Sequence, residues 1–131
     1  MLNPDHVGRT FTGSRATTIT QEDIDSFAAA IGERNTKVAP PTFSIKITLA
    51  QSQELLQGSG LDWSRVVHGE QKFSIIRPLI AGDSVICSST IESHRVVAGN
   101  EIVSVRSDLH STQGDGRELL VSTWSTLVVR A

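Results

Sequence analysis

Pro40-Pro41-Thr42-Phe43-Ser44-Ile45-Lys46-Ile47-Thr48-Leu49-Ala50-Gln51-Ser52-Gln53-Glu54-Leu55-Leu56-Gln57 is the stretch on which the fold turns. Two prolines open it. Neither has a backbone N–H and neither fits inside a helix or a central strand, so they punctuate the chain. Phe43, Ile45, Ile47 and Leu49 then alternate with Ser44, Lys46 and Thr48, the period-two pattern of a strand. From Leu49 onward the residues Ala50, Gln51, Gln53, Glu54, Leu55, Leu56 and Gln57 are helix formers. Gly58-Ser59-Gly60 ends the element. Pattern alone divides the stretch into a strand followed by a helix.

The sequence upstream is plainer. Thr20 can cap a helix, and Glu22 and Asp23 sit at the positive end of its dipole. Ile24, Phe27, Ala28 and Ile31 follow at i, i+3, i+4 and i+7, one apolar stripe, and Gly32 terminates it. This spacing predicts a helix over 21–31. Between Gly8 and Thr18 the chain is short, polar and β-branched, with an edge strand expected around Arg15–Thr18. Downstream, extended runs are expected over 66–77, 84–97, 101–111 and 119–129. They are separated by Pro78 with Gly82-Asp83, by Ala98-Gly99-Asn100 and by Thr112-Gln113-Gly114-Asp115-Gly116. Runs joined by short Gly/Asn/Asp turns form an antiparallel meander, and a helix on one face of it makes an α+β domain.

The chain of 131 residues suits a single domain, residues 1–131, with one substantial core. Hydrophobic residues make up 38% and charged residues 20%, with a net charge of −2 and no basic run, so nothing indicates nucleic acid or an anionic membrane. No stretch approaches the ~20 apolar residues of a membrane span. The start, Met1-Leu2-Asn3-Pro4-Asp5-His6, lacks the basic flank and apolar run of a signal peptide. Cys87 is the lone cysteine and lies in an apolar strand pattern, which suits a buried thiol in a reducing, cytoplasmic setting. The four histidines and this cysteine lack metal-ligand spacing, so no metal is expected.

Four segments carry a resemblance: Ala39-Pro40-Pro41-Thr42-Phe43, His68-Gly69-Glu70-Gln71, Arg77-Pro78 with Gly82-Asp83, and Ser125-Thr126-Leu127-Val128-Val129-Arg130. Their order and spacing resemble the MaoC-like (hot-dog) dehydratases, in the branch of N-terminal and accessory (FAS1-like) dehydratase domains. The resemblance implies one hot-dog domain, in which a curved antiparallel sheet of about five strands wraps a long central helix. On that reading residues 42–57 are the helix. It also implies a substrate carried as a thioester of coenzyme A or acyl carrier protein, no other cofactor, and assembly as a homodimer or a heterodimer with a catalytic hot-dog subunit.

Active relatives add or remove water across the C2–C3 bond of the acyl chain. They use an Asp/His pair in a loop resembling Gly-Asp-x-Asn-Pro-x-His, and a backbone amide near a His-Gly pair holds the thioester oxygen. One group handles the C2 proton, and hydrogen bonds stabilise the charge that develops on oxygen. In this chain Gly32 and Asn35 match that loop, Glu33 stands where the Asp is expected, and Thr36-Lys37-Val38 supplies neither Pro nor His. The chain then reaches Ala39-Pro40-Pro41 at once, and proline has no amide hydrogen to offer.

The candidate catalytic residues are therefore Glu33, Asn35, His68 and Glu70. His68 and Glu70, at i and i+2 of a strand, are expected on one face as a carboxylate–imidazole pair. Candidate substrate-binding residues are Pro41, Thr42, Phe43 and Gly69. The bland alternatives are a solvated Glu33 at a helix end, and a His68–Glu70 pair that stabilises only its strand or a dimer seam. The preferred expectation is an accessory, acyl-binding component of an (R)-3-hydroxyacyl dehydratase or (R)-specific enoyl hydratase. The alternatives are a homodimeric acyl-CoA thioesterase using Glu54 or Glu33, and an acyl-CoA-binding protein without chemistry.

Overall fold

A computed structural model describes residues Met1–Ala131. Strands β1 (Thr10–Thr12) and β2 (Thr17–Thr18) precede helices α1 (Gln21–Ile31) and α2 (Ile45–Leu55). Strands β3 (Val66–Ile75), β4 (Ser84–Val97), β5 (Asn100–Ser111) and β6 (Leu119–Val129) follow. All six strands form one antiparallel sheet in the order β1-β4-β5-β6-β3, with β2 also on β4. This is the expected single α+β hot-dog, with six strands rather than about five. The extra one arises because residues 13–16 leave the strand conformation, so the short polar lead-in pairs with β4 in two pieces.

α1 occupies the predicted residues. Thr20 Oγ1 accepts from Asp23 N at 3.1 Å, and Gly32 closes the helix at φ 73°, the left-handed conformation that glycine adopts without strain. The β4–β5 hairpin turns on Ala98-Gly99, where both residues have positive φ (52° and 80°), so the two-residue turn follows the twist of the strands.

Residues 45–55 are helical, so the division into strand and helix suggested by pattern does not hold. The reason lies in which residues are buried. Phe43, Ser44, Ile47, Thr48, Ser52 and Leu56 are buried, at the three- and four-residue spacing of a helix face, whereas Ile45 and Leu49 are only half-buried. Three of those six are small hydroxyl residues, so the inward face does not register as apolar. Ser52 satisfies itself by donating to Leu49 O at 3.0 Å.

The sheet answers with hydroxyls of its own. Ser89, Ser107 and Thr123 are register partners across β4, β5 and β6, and all three are almost fully buried. Ser89 and Ser107 share a 2.8 Å hydrogen bond, and Thr123 Oγ1 donates to Ser107 O at 3.4 Å. This belt separates two apolar clusters. One gathers Ile19, Ile24, Phe43, Ile47, Leu79, Val85, Cys87, Leu109 and Leu120, and the other Leu2, Leu56, Leu61, Ile91, Val103, Val105 and Leu127. Small side chains on both surfaces let α2 lie close to the sheet, where dense packing contributes most.

The N-terminal residues seal the second cluster. Leu2 N donates to Glu101 Oε1 at 2.8 Å, and His94 Nε2 meets the same oxygen at 2.9 Å. His94 is half-buried by this pairing. Burial alone would raise the Glu101 carboxyl, but the Leu2 N–H and His94 outweigh it and hold it below the usual carboxylate range. Gly60, at φ 93°, lies so close to the arm that an added Cβ would collide with the Met1 carbonyl oxygen.

Thr48→Leu overfills the helix–sheet contact and should cost about 1–3 kcal/mol in chemical denaturation. Gln53→Leu, on the exposed face of the same helix, should stay within about 0.5 kcal/mol. An equal effect at both positions would contradict close packing at Thr48. Because the folded carboxyl of Glu101 titrates below its unfolded value, its stabilisation is present above the unfolded value and lost as pH falls through the folded one. Glu101→Gln should thus lower stability at pH 7 by about 1–3 kcal/mol and flatten the acid limb of the stability–pH curve. An unchanged acid limb would rule this contribution out.

Candidate functional site

The connection from α1 to α2 is short. Gly32 to Ala39 crosses from the end of α1 to the prolines, and Ala39 N donates to Leu79 O at 2.7 Å, fixing the far end. Within it, Glu33 Oε1 accepts from Asn35 N at 3.0 Å and Asn35 Oδ1 accepts from Lys37 N at 3.1 Å. Both side chains are spent on their own turn, and both residues are exposed. Their hydrogen bonds do not link them to His68 or to Glu70.

Pro40 is buried, Pro41 and Thr42 are exposed, and Phe43 is buried with its ring edge-on to Phe27 at 5.5 Å. Phe43 N bonds back to Pro40 O, and Ile45 N to Thr42 O, so tight turns use the groups that lead into α2. Ser44 Oγ is buried without a hydrogen-bond partner. It faces a cavity of about 10 Å³ that Ile75 and Val121 close from the sheet side, space for about one water.

The loop after β3 is locked by an ion pair. The Arg77 guanidinium grips Asp83 with two bonds of 3.0 and 3.1 Å, and Asp83 Oδ2 also accepts from Ile80 N at 2.8 Å. Asp83 is buried and fully engaged, so Gly82-Asp83 shapes the loop that carries Leu79. Cys87 is fully buried in the first cluster, and burial pushes its thiol up to about 11. It is protonated at neutral pH and is no nucleophile. Glu54 lines a cavity of about 360 Å³ between α2 and the β1–β2 loop, with Arg15, Thr17 and Gln51, on the flank of α2 away from β3.

The pairing expected between His68 and Glu70 is corrected by the register of β3. His68 lies opposite Leu127 and Glu70 opposite Thr126, so two steps along β3 match one along β6. The extra residue, Gly69, is a β-bulge. It turns Glu70 to the outer face, where it pairs with Lys72 at 3.2 Å beside Trp124 and Thr126. His68 stays on the inner face with the buried Leu127. An added Cβ at Gly69 would stand 3.3 Å from Thr126 O, a tight fit, which is why glycine serves there.

His68 acquires other partners. Its Nε2 lies 2.8 Å from Gln71 Oε1, which also accepts from Ser125 Oγ at 2.6 Å. An amide oxygen only accepts, so Nε2 carries the hydrogen and Nδ1 of the neutral ring keeps its lone pair. Gln71 and Ser125 were not among the candidates drawn from sequence. A glycine inside a strand pattern was the signal for a bulge, and with it for an i, i+3 partner.

β3 is an edge strand, hydrogen-bonded to β6 alone. Along it and just beyond, Val67 is 45% exposed, Ile75 37% and Ile76 63%. An unpaired ten-residue edge bearing exposed apolar side chains is a surface that proteins ordinarily cover. Both helices are too short and too polar to cross a membrane.

Comparison with known proteins places this geometry. The sequence pattern of the "FAS1-like, dehydratase domain region" family matches residues 5–117. A UPF0336 protein of Streptomyces griseus is 40% identical over 147 aligned positions, covering 99% of this chain and 96% of that protein. Since this chain has 131 residues, at least 16 of those positions face a gap in it. Among solved structures, one chain of the C-terminally truncated HadBC (3R-hydroxyacyl-ACP dehydratase) complex from Mycobacterium tuberculosis superposes with a TM-score of 0.85 and 22% identity, covering 97% of this chain and 99% of that one. A MaoC-like dehydratase from Rhodospirillum rubrum gives 0.68 at 20% identity, with 98% and 96% covered. With its family pattern matched over most of its length and the central helix and antiparallel sheet seen here, the chain belongs to the FAS1-like dehydratase domain family, built on the hot-dog fold of the MaoC-like dehydratases.

Proposed function

We propose that this chain is the accessory, substrate-binding half of a hydro-lyase acting on acyl thioesters. The pair adds water to a trans-2-enoyl thioester, or removes it from the (R)-3-hydroxyacyl product. A second hot-dog chain supplies the aspartate and histidine that move the protons. The observation that carries this reading is the connection from Gly32 to Ala39. It is short, it contains no histidine, and its only carboxylate, Glu33, is exposed and bonded to its own turn. At least 16 positions present in the Streptomyces griseus relative are missing from this chain.

Two further features support an accessory role. Pro40 and Pro41 offer no amide hydrogen at the entrance to α2, where a carbonyl oxygen gaining charge would need donors. The exposed edge of β3 offers a seam for a second chain of the same fold, and one protein with a high structural likeness is described as a complex. Pro41, Thr42 and Phe43, which lead into α2, and Gly69, at the bulge, are the substrate-side residues of this chain. A homodimer would double a site that lacks its acid–base pair, so the reading requires a heterodimer. The buried thiol suits a reducing, cytoplasmic setting.

The purified chain alone should leave the absorbance of a short trans-2-enoyl-CoA unchanged. Co-expression with a hot-dog chain carrying an intact Gly-Asp-x-Asn-Pro-x-His loop should restore hydration. Turnover by the chain alone, lost in Glu33→Ala, would overturn the accessory reading, and thiol release from a saturated acyl-CoA would move it to a thioesterase. If the seam runs along β3, Ile76→Glu should weaken pairing at least about tenfold in sedimentation, near 1.4 kcal/mol. The fold of the single chain should be unaffected, because Ile76 is 63% exposed. Unweakened pairing would place the seam elsewhere.

A further inference from the structure

The hydrogen-bonded group His68–Gln71–Ser125 has no evident duty within the chain. His68 is exposed, yet its ring is held in one orientation and one tautomer by the Gln71 oxygen. The bulge at Gly69 keeps it on the inner face of β3 and gives Glu70 to the other. A merely solvated histidine needs neither the bulge nor the two partners. The orienting group is a neutral amide rather than a carboxylate, so it does not compensate the charge of an imidazolium. The arrangement suits accepting a hydrogen bond better than transferring a proton.

The position of His68 on β3 indicates what it faces. Ile75, at the other end of the strand, lines the same small cavity as Pro40, Pro41 and Ser44, so that end of β3 adjoins the start of α2. His68 lies seven residues away, roughly 20 Å along the strand. When two chains of this fold pair antiparallel along β3 about its middle, the His68 end of one meets the Ile75 end of the other. His68 then comes to the start of the partner's central helix, where the helix dipole attracts a carbonyl oxygen gaining charge.

We propose that His68, oriented by Gln71 and Ser125, reaches across the β3 seam and that its Nδ1 accepts a hydrogen bond from an amide N–H of the substrate's thioester-bearing arm. This rests on the heterodimeric reading above. The arm is the amide-containing thiol chain that coenzyme A and acyl carrier protein share, so both carriers meet the same acceptor. His68 here is a binding residue of a composite site. It holds the arm while the partner's residues act on the acyl chain.

The test compares wild type, His68→Leu and His68→Asn, each assembled with the catalytic partner and checked by sedimentation. The substrates are trans-2-enoyl-CoA and the matching S-ethyl enoyl thioester, which contains no amide. With the coenzyme A substrate, His68→Leu should raise KM about three- to tenfold, the range for one lost neutral hydrogen bond, and leave kcat within about twofold. His68→Asn, whose side-chain oxygen can take the Nδ1 position, should recover most of that loss. With the S-ethyl thioester all three should be alike. An active wild-type pair in which His68→Leu leaves KM unchanged, or affects both substrates equally, would overturn this inference alone. Dissociation of the His68→Leu pair would assign His68 to the seam and overturn it too. An inactive wild-type pair would instead remove the accessory reading itself, and the role of His68 with it.

Discussion

Close seating of α2 on the sheet is the constraint on which the rest of the molecule depends. The helix presents Ser44, Thr48 and Ser52 among its buried residues, and the sheet presents Ser89, Ser107 and Thr123 across three neighbouring strands. Hydroxyls this deep would be costly without partners, and the Ser89–Ser107 bond, the Thr123 bond to Ser107 O and the Ser52 bond to its own helix satisfy those four locally, whereas Ser44 Oγ faces its small cavity without a protein partner. Apolar clusters on either side of the belt then close the core. A larger residue in the belt would lift the helix and open both clusters together.

With the helix in place, the loops around it are placed as well. The Arg77–Asp83 pair shapes the segment after β3, and the Leu79 carbonyl in that segment holds Ala39, just before the prolines. The start of α2 is thereby pinned against the Ile75 end of β3. The connection from α1 contains no histidine, and its one carboxylate, Glu33, is bonded to its own turn. The same strand β3 lies at the edge of the sheet, hydrogen-bonded to β6 alone.

Much of this was legible in the sequence, because the signals were local. Thr20, the 24–27–28–31 stripe and Gly32 define α1 through capping and periodicity alone. The long strands β4 and β6 and the turn at Ala98-Gly99 follow from alternation and turn chemistry. The make-up of the α1–α2 connection was legible too, since a missing histidine and two prolines are facts of composition. α2 was not legible by pattern, because its inward face mixes small polar residues with apolar ones. Only resemblance to a known family indicated a helix there.

The sequence by itself determined the class of fold, the helix and strand inventory with short errors at the lead-in, and the absence of a histidine from the α1–α2 connection. These depend on neighbours a few residues apart. The tertiary structure decided which side chains meet. It set His68 with Gln71 and Ser125 rather than with Glu70, because a single bulge at Gly69 reverses the alternation that spacing assumes. It buried His94 against Glu101 and brought Leu2 to the same carboxylate, 99 residues away in the chain. Register and long-range contact are properties of the assembled sheet: Gly69 signals a bulge, but which side chains then face one another depends on the strand alongside.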